Sequence, residues 1–231
     1  MKLPALARVR WRTAYRVINS RYPPIALFER VAHPDDWEAL YALEQITNPR
    51  VRDEWGEVSI VPLAERVSGP GASWVMAAFT HRGTPSRFTD GSYGVYYAAR
   101  TLDTAVRETA FHFGRFLAGT AEPKGTVIEL RTLISQRLDG LFHDLRLGFD
   151  ELHDSDHYSP AQHLGAALRA QGSRGVVYRS VRHLGGECLA IFRPKAIPIP
   201  SQGPRLQYHF DGARIDRWFR IGERDWVDLS S

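Results

Sequence analysis

Gly94-Val95-Tyr96-Tyr97-Ala98-Ala99-Arg100-Thr101-Leu102-Asp103-Thr104-Ala105-Val106-Arg107-Glu108 is the stretch on which the fold turns. Residues 94–99 form a short run rich in β-formers that stops before Thr101. Leu102, Ala105, Val106, Thr109, Phe113 and Phe116 then recur at spacings of three and four. The reading is a strand that feeds directly into an amphipathic helix. On that helix Glu108 stands at the edge of the apolar stripe, a position from which a carboxylate can face a cleft beside the sheet.

Working outward, residues 14–18 have strand character, and Pro34, Asp35 and Asp36 open a helical pattern over 34–46 carried by Trp37, Leu40, Tyr41 and Leu43. Residues 125–131, 175–180 and 188–193 read as strands, with 205–210 and 226–229 as weaker ones. Ser159 before Pro160, followed by Leu164, Ala167 and Leu168 and closed by Gly172, reads as a capped helix. Short strands separated irregularly by helices predict an α+β fold rather than a doubly wound parallel sheet.

The chain has 231 residues, 43% hydrophobic and 24% charged, enough for one packed domain and unlike a disordered chain. No apolar run reaches the ~18–20 residues of a membrane span, and the basic start (Lys2, Arg8, Arg10, Arg12, Arg16) lacks the apolar block of a secretory signal. Cys188, the single cysteine, fits a reducing compartment, so a cytoplasmic location is expected. The net charge of +4 points to an anionic ligand, but the arginines are dispersed among acids, which argues against direct nucleic-acid binding.

Absent motifs narrow the function. Neither a P-loop nor G-x-G-x-x-G occurs, and Gly69-Pro70-Gly71 lacks the third glycine. No G-x-S-x-G elbow supports Ser180 with His183 as a serine hydrolase. His143, His153, Asp154, Asp156, His157 and His163 resemble a metal set, yet Asp154, Ser155 and Asp156 are poor helix formers, so no metal site is expected.

Three polar groups then stand in order. Arg87, in Ser86-Arg87-Phe88-Thr89-Asp90-Gly91, precedes the strand, Tyr97 sits on it, and Glu108 lies on the following helix. This order, the spacing and the strand-ending Tyr-Ala-Ala resemble the RES-domain family, the toxin half of bacterial RES–Xre toxin–antitoxin pairs. Tyr15-Arg16, Tyr158-Ser159-Pro160-Ala161-Gln162, Tyr178-Arg179-Ser180 and Gly185-Gly186-Glu187-Cys188-Leu189-Ala190 extend the likeness from Tyr15 to Pro194.

The resemblance implies one domain over 1–231 with a mixed, mostly antiparallel sheet and flanking helices, similar to ADP-ribosyltransferases. Its core is about 14–194, with 31–79 as an insertion-like helical segment and 195–231 as a C-terminal extension. It further implies cleavage of the nicotinamide–ribose bond of NAD⁺ by hydrolysis or phosphorolysis, with NAD⁺ as substrate, inorganic phosphate as co-substrate of the second route, and no bound cofactor. An Xre-like antitoxin is the implied partner, in a complex that can be oligomeric. ADP-ribosylation of a protein target and a non-catalytic module acting through antitoxin or DNA are the alternatives.

Under that reading Glu108 is the carboxylate that meets an oxocarbenium-like sugar, and Arg16 and Arg87 suit the pyrophosphate as bidentate donors. Tyr97 would orient the nicotinamide end, and Ser159 or Ser180 would donate to the amide or a phosphate. Arg16 competes with Arg87, and Ser159 with Ser180, for the arginine and serine of the family name. His112, one turn beyond Glu108, and Arg182 complete the candidate set.

Overall fold

The computed structural model describes residues 3–20 and 56–229. The helix read at 34–46 lies outside the described residues. Among the described residues the strands are β1 (Leu6–Asn19), β2 (Tyr96–Ala99), β3 (Val127–Asp144), β4 (Gly175–Arg179), β5 (Glu187–Ile191), β6 (Ser201–Phe210), β7 (Ile215–Arg220) and β8 (Val227–Asp228). The helices are α1 (Ala72–Thr80), α2 (Leu102–Ala118) and α3 (Ser159–Ala170).

β1 pairs with β2 through Tyr15 and Ala99, β2 with β5, β5 with β4, β4 with β3, and β3 again with β1. Five strands therefore close a ring, and β6, β7 and β8 continue the sheet from β3. Among the described residues only the β3–β4 pairing is parallel. The fold is α+β with a mixed, mostly antiparallel sheet.

Closure of the ring separates two cores. One takes Val9, Trp11 and Ala14 from β1, Tyr96 and Ala98 from β2, Leu138 and Phe142 from β3, Val177 from β4, and Leu189 and Ile191 from β5. Val75, Met76 and Phe79 of α1 pack into the same cluster. The other lies where α2 and α3 cover the sheet and includes Val17, Phe88, Val106, Ala110, Leu164, Leu168, Tyr178, Cys188 and Tyr208. Side chains alternate across each strand, so Tyr96 and Tyr97 enter different cores.

The helix of the opening stretch forms with its start at Thr101, whose hydroxyl accepts the Thr104 amide at 3.2 Å. Asp103 in its first turn and Arg115 in its last complement the helix dipole. Phe116 departs from the expected stripe and is 67% exposed. Leu117, one position further from Phe113, takes the inward place instead and is buried.

Other differences have physical causes. The strand expected to end at Arg131 runs on to Asp144, paired with β1 over that length, and Arg137, with a left-handed φ of 55°, changes the phase of the alternation on the way. Ser135, opposite Ala14, and Leu138, opposite Trp11, both belong on the ring side despite their odd separation. β7 was hidden by Arg217 and Arg220 interleaved with Trp218, and α1 by the Gly69-Pro70-Gly71 punctuation before it. Ser159 is the first helical residue of α3 rather than its cap; Tyr158 holds the cap position, without a side-chain bond.

Candidate active site

β4 ends at Arg179, and the chain turns at Ser180 toward α2. The Ser180 hydroxyl accepts the amides of Arg182 at 3.2 Å and His183 at 3.0 Å, which leaves its proton to donate to Glu108 Oε1 at 2.6 Å. That distance is typical of a charge-assisted O–H to carboxylate bond. Glu108 is half-buried, and among the described residues no donor is bonded to its Oε2. One carboxylate oxygen is held by the protein and the other is open.

Arg87 is buried, stacked on the Tyr158 ring at 4.6 Å, and donates Nη1 to the carbonyls of Leu152 at 3.1 Å and Asp154 at 2.7 Å. No carboxylate pairs with it among the described residues, and Nε and Nη2 make no bond there. A buried guanidinium with donors to spare favours an anion.

Tyr97 supports this arginine from below. Its hydroxyl accepts the Phe88 amide at 3.0 Å and shares a 2.8 Å bond with the Ser86 hydroxyl. Burial pushes the phenol up to about 12, so it stays neutral. The Gln162 side chain donates to the Ser86 carbonyl at 3.0 Å, and Gly165 lets α3 approach closely, since a Cβ there would lie 2.3 Å from the Phe88 carbonyl oxygen. Phe88, edge-on to Tyr178 with centroids 5.0 Å apart, anchors the same turn in the core. The turn carrying Arg87 is thus fixed from the strand, the helix and the core together.

His112 lies one turn beyond Glu108, with an exposed edge, and is influenced electrostatically by Glu108, Arg182, Arg87 and Arg115. Partial burial draws its imidazole below the ordinary value, and the arginines act in the same direction. Arg182 stacks its guanidinium 3.3 Å from the Phe111 ring centroid and donates to the Ser155 carbonyl, with a buried Nε that has no partner among the described residues. Arg115 pairs with Asp156 at 2.9 Å. The neighbourhood of Glu108 is strongly cationic.

The structure therefore brings Arg87, Tyr97, Glu108, His112, Ser180 and Arg182 into one region. Arg16 lies on the other face of the sheet, and Ser159 lies beside Tyr158, which stacks on Arg87. Tyr15 shares a face with Ala99, so Arg16 faces the ring side, where its guanidinium lies 4.5 Å over Tyr96 and donates to the Tyr97 carbonyl at 3.1 Å. Burial pulls its ionisation below the usual arginine value. The Ser159 hydroxyl, at the start of α3, makes no hydrogen bond with the described residues, whereas the Ser180 hydroxyl holds Glu108.

Sequence reasoning missed Ser86, Gln162, Tyr158 and the Leu152 and Asp154 carbonyls. Tyr158 and Gln162 were visible as an i, i+4 pair flanking Ser159-Pro160, but their partner Arg87 is remote in sequence. Of the histidines considered for a metal, His153 donates Nδ1–H to the Phe149 carbonyl at 2.9 Å and accepts the Arg179 amide on Nε2 at 3.2 Å. It is a neutral brace, and burial lowers its ionisation accordingly. Among the described residues no group of three His, Cys, Asp or Glu side chains is placed to hold a metal. No helix of the described residues is long and apolar enough to cross a membrane.

A solved structure of the M. tuberculosis MbcT–MbcA toxin–antitoxin complex matches with a TM-score of 0.42 at 13% identity, over 85% of each chain. The uncharacterized protein y4oC of Sinorhizobium fredii is 30% identical over 205 residues, covering 87% of this chain and 84% of that protein. The RES domain family model matches residues 63–211, which include Arg87, Tyr97, Glu108 and Ser180. With that match spanning more than half of its length, the chain belongs to the RES domain family.

Proposed function

We propose that this chain is a RES-type toxin that consumes NAD⁺ by breaking the nicotinamide–ribose bond. The observation that carries the reading is the Glu108 carboxylate, held on Oε1 by Ser180 at 2.6 Å with Oε2 open, in a cationic surround. When the C1′–N bond breaks, its electron pair leaves with nicotinamide and positive charge develops on the ribose. A fixed carboxylate stabilises that charge without having to reorganise. The oxygen of phosphate, or of water as it gives up a proton to solvent, then bonds to C1′.

The spare donors of Arg87 suit the pyrophosphate, and the buried, neutral Tyr97 keeps the Arg87 turn in place. Arg182 extends the positive region in which an attacking phosphate would be stabilised, and the neutral His112 imidazole beside it is available for hydrogen bonding. The growth-inhibiting outcome would be NAD⁺ depletion, relieved by an Xre-like antitoxin that covers the entrance.

The test is incubation of the purified chain with NAD⁺ labelled in its ADP-ribose part, with and without phosphate. Released nicotinamide with free label supports cleavage, and the phosphate arm separates hydrolysis from phosphorolysis. Label fixed on protein would replace the reading with ADP-ribosyl transfer. Intact NAD⁺ in both arms would overturn it.

A further inference from the structure

The Glu108–Ser180 bond depends on how the turn at 180–186 is docked, and that docking converges on one histidine. The backbone of His183 sits inside the turn: its amide donates to Ser180 Oγ at 3.0 Å, and its carbonyl accepts the Gly186 amide at 2.9 Å. Its ring points the other way, onto the first turn of α2. Nδ1 lies 2.8 Å from Thr104 Oγ1, and Nε2 lies 3.1 Å from Asp103 Oδ2.

Both ring nitrogens are thus engaged by α2. The ring is not the base of a serine nucleophile, because neither nitrogen is directed to Ser180. Thr104 Oγ1 is itself 2.8 Å from the hydroxyl of the cap residue Thr101, and Asp103 also pairs with Arg107 at 3.2 Å. A second observation marks the same contact: a Cβ on Gly186 would lie 2.8 Å from Thr104 Cγ2, so the turn rests directly on Thr104.

We propose that His183 is a positioning residue that clamps the 180–186 turn to the first turn of α2 and thereby sets the Ser180 hydroxyl against Glu108. Glu108 lies about one helical turn beyond Asp103 and Thr104 on the same rigid element. The clamp makes hydroxyl and carboxylate parts of one body. Displacement of a positioned group by about 1 Å can cost about 10²-fold in rate, so the connection matters for turnover more than for substrate capture. The proposal rests on the reading of Glu108 as the carboxylate that meets the sugar.

The experiment compares NAD⁺ cleavage by the wild-type chain, His183→Ala, His183→Asn, Thr104→Val and the His183→Ala/Thr104→Val double variant, alongside amide exchange at Arg182. His183→Ala should lower kcat roughly 10- to 100-fold with little change in KM. His183→Asn, whose amide oxygen can still accept from Thr104, should recover part of the loss. The double variant should be no worse than the more damaged single one, because both act through one contact.

Wild-type kcat in His183→Ala, or losses that multiply in the double variant, would overturn the clamp. If the wild-type chain itself leaves NAD⁺ intact, the functional reading fails separately and the exchange measurement decides the clamp. Faster exchange of the Arg182 amide in His183→Ala supports it; unchanged exchange overturns it.

Discussion

Arg87 and Arg16 both stack their guanidiniums on tyrosines, yet they sit in different cores, the first buried and the second half-buried. Arg87 lies among α2, α3 and the β2 turn, braced by two carbonyls while Nε and Nη2 stay open. Arg16 faces the ring side, lies over Tyr96, and donates into the β2 backbone at Tyr97. Both keep donors to spare among the described residues, but it is Arg87 that stands in the electrostatic neighbourhood of His112 and Glu108. Arg16 ties β1 to β2 where their pairing ends at Tyr15 and Ala99. A site needs groups that are fixed without being used up, and Glu108, with one oxygen held and one open, is such a group.

This contrast can be broken by substitution. The largest effect is expected at Glu108: Glu108→Gln keeps the size and can still accept from Ser180 but loses the charge, and should reduce NAD⁺ cleavage by about 10³-fold or more. Arg87→Ala should follow, with about a 10²-fold loss in kcat/KM borne mainly by KM. Arg16→Leu should instead cost about 1–3 kcal/mol of stability, read as a lower Tm, with kcat nearly unchanged. A stable Arg16→Leu chain that no longer turns over would move Arg16 into the site and erase the distinction.

Ser180→Ala should come next, at about 10- to 100-fold in kcat and no less than His183→Ala, since it frees Glu108 without removing it. The smallest effect is a pH dependence at His153. Its folded value lies below the unfolded one, so the folded chain binds fewer protons and stability falls as pH drops through about 6.5. Thermal unfolding between about pH 7.5 and 5.5 should show this fall, and His153→Gln should shrink it. His112 and His143 shift in the same direction, so part of the fall should persist. An equal fall in the variant would show that His153 does not brace the chain at the end of β4.

How much of this was legible depended on sequence distance. The strand and helix of 94–108 could be read because periodicity and cap are local, and the same helix placed Glu108 at the edge of its stripe. The second half of β3 could not, because its phase change at Arg137 breaks the alternation that marks a strand. Ser180 could not be told from Ser159 in the sequence, because its bond to Glu108 joins the turn after β4 to α2. The position of Arg16 depends on which face of β1 lines up with β2, and a single cross-strand pair decides that. His183 was visible only as a weak partner for Ser180, while its actual contacts, Asp103 and Thr104, come from another element.

The central claim is that the Glu108 carboxylate performs the cleavage. The most direct measurement is nicotinamide release from NAD⁺ by wild-type and Glu108→Gln chains side by side, with folding verified by matching circular dichroism. The account predicts release by the wild type and a near-complete loss in Glu108→Gln. Equal release by the two chains, or none by the wild type, would contradict it.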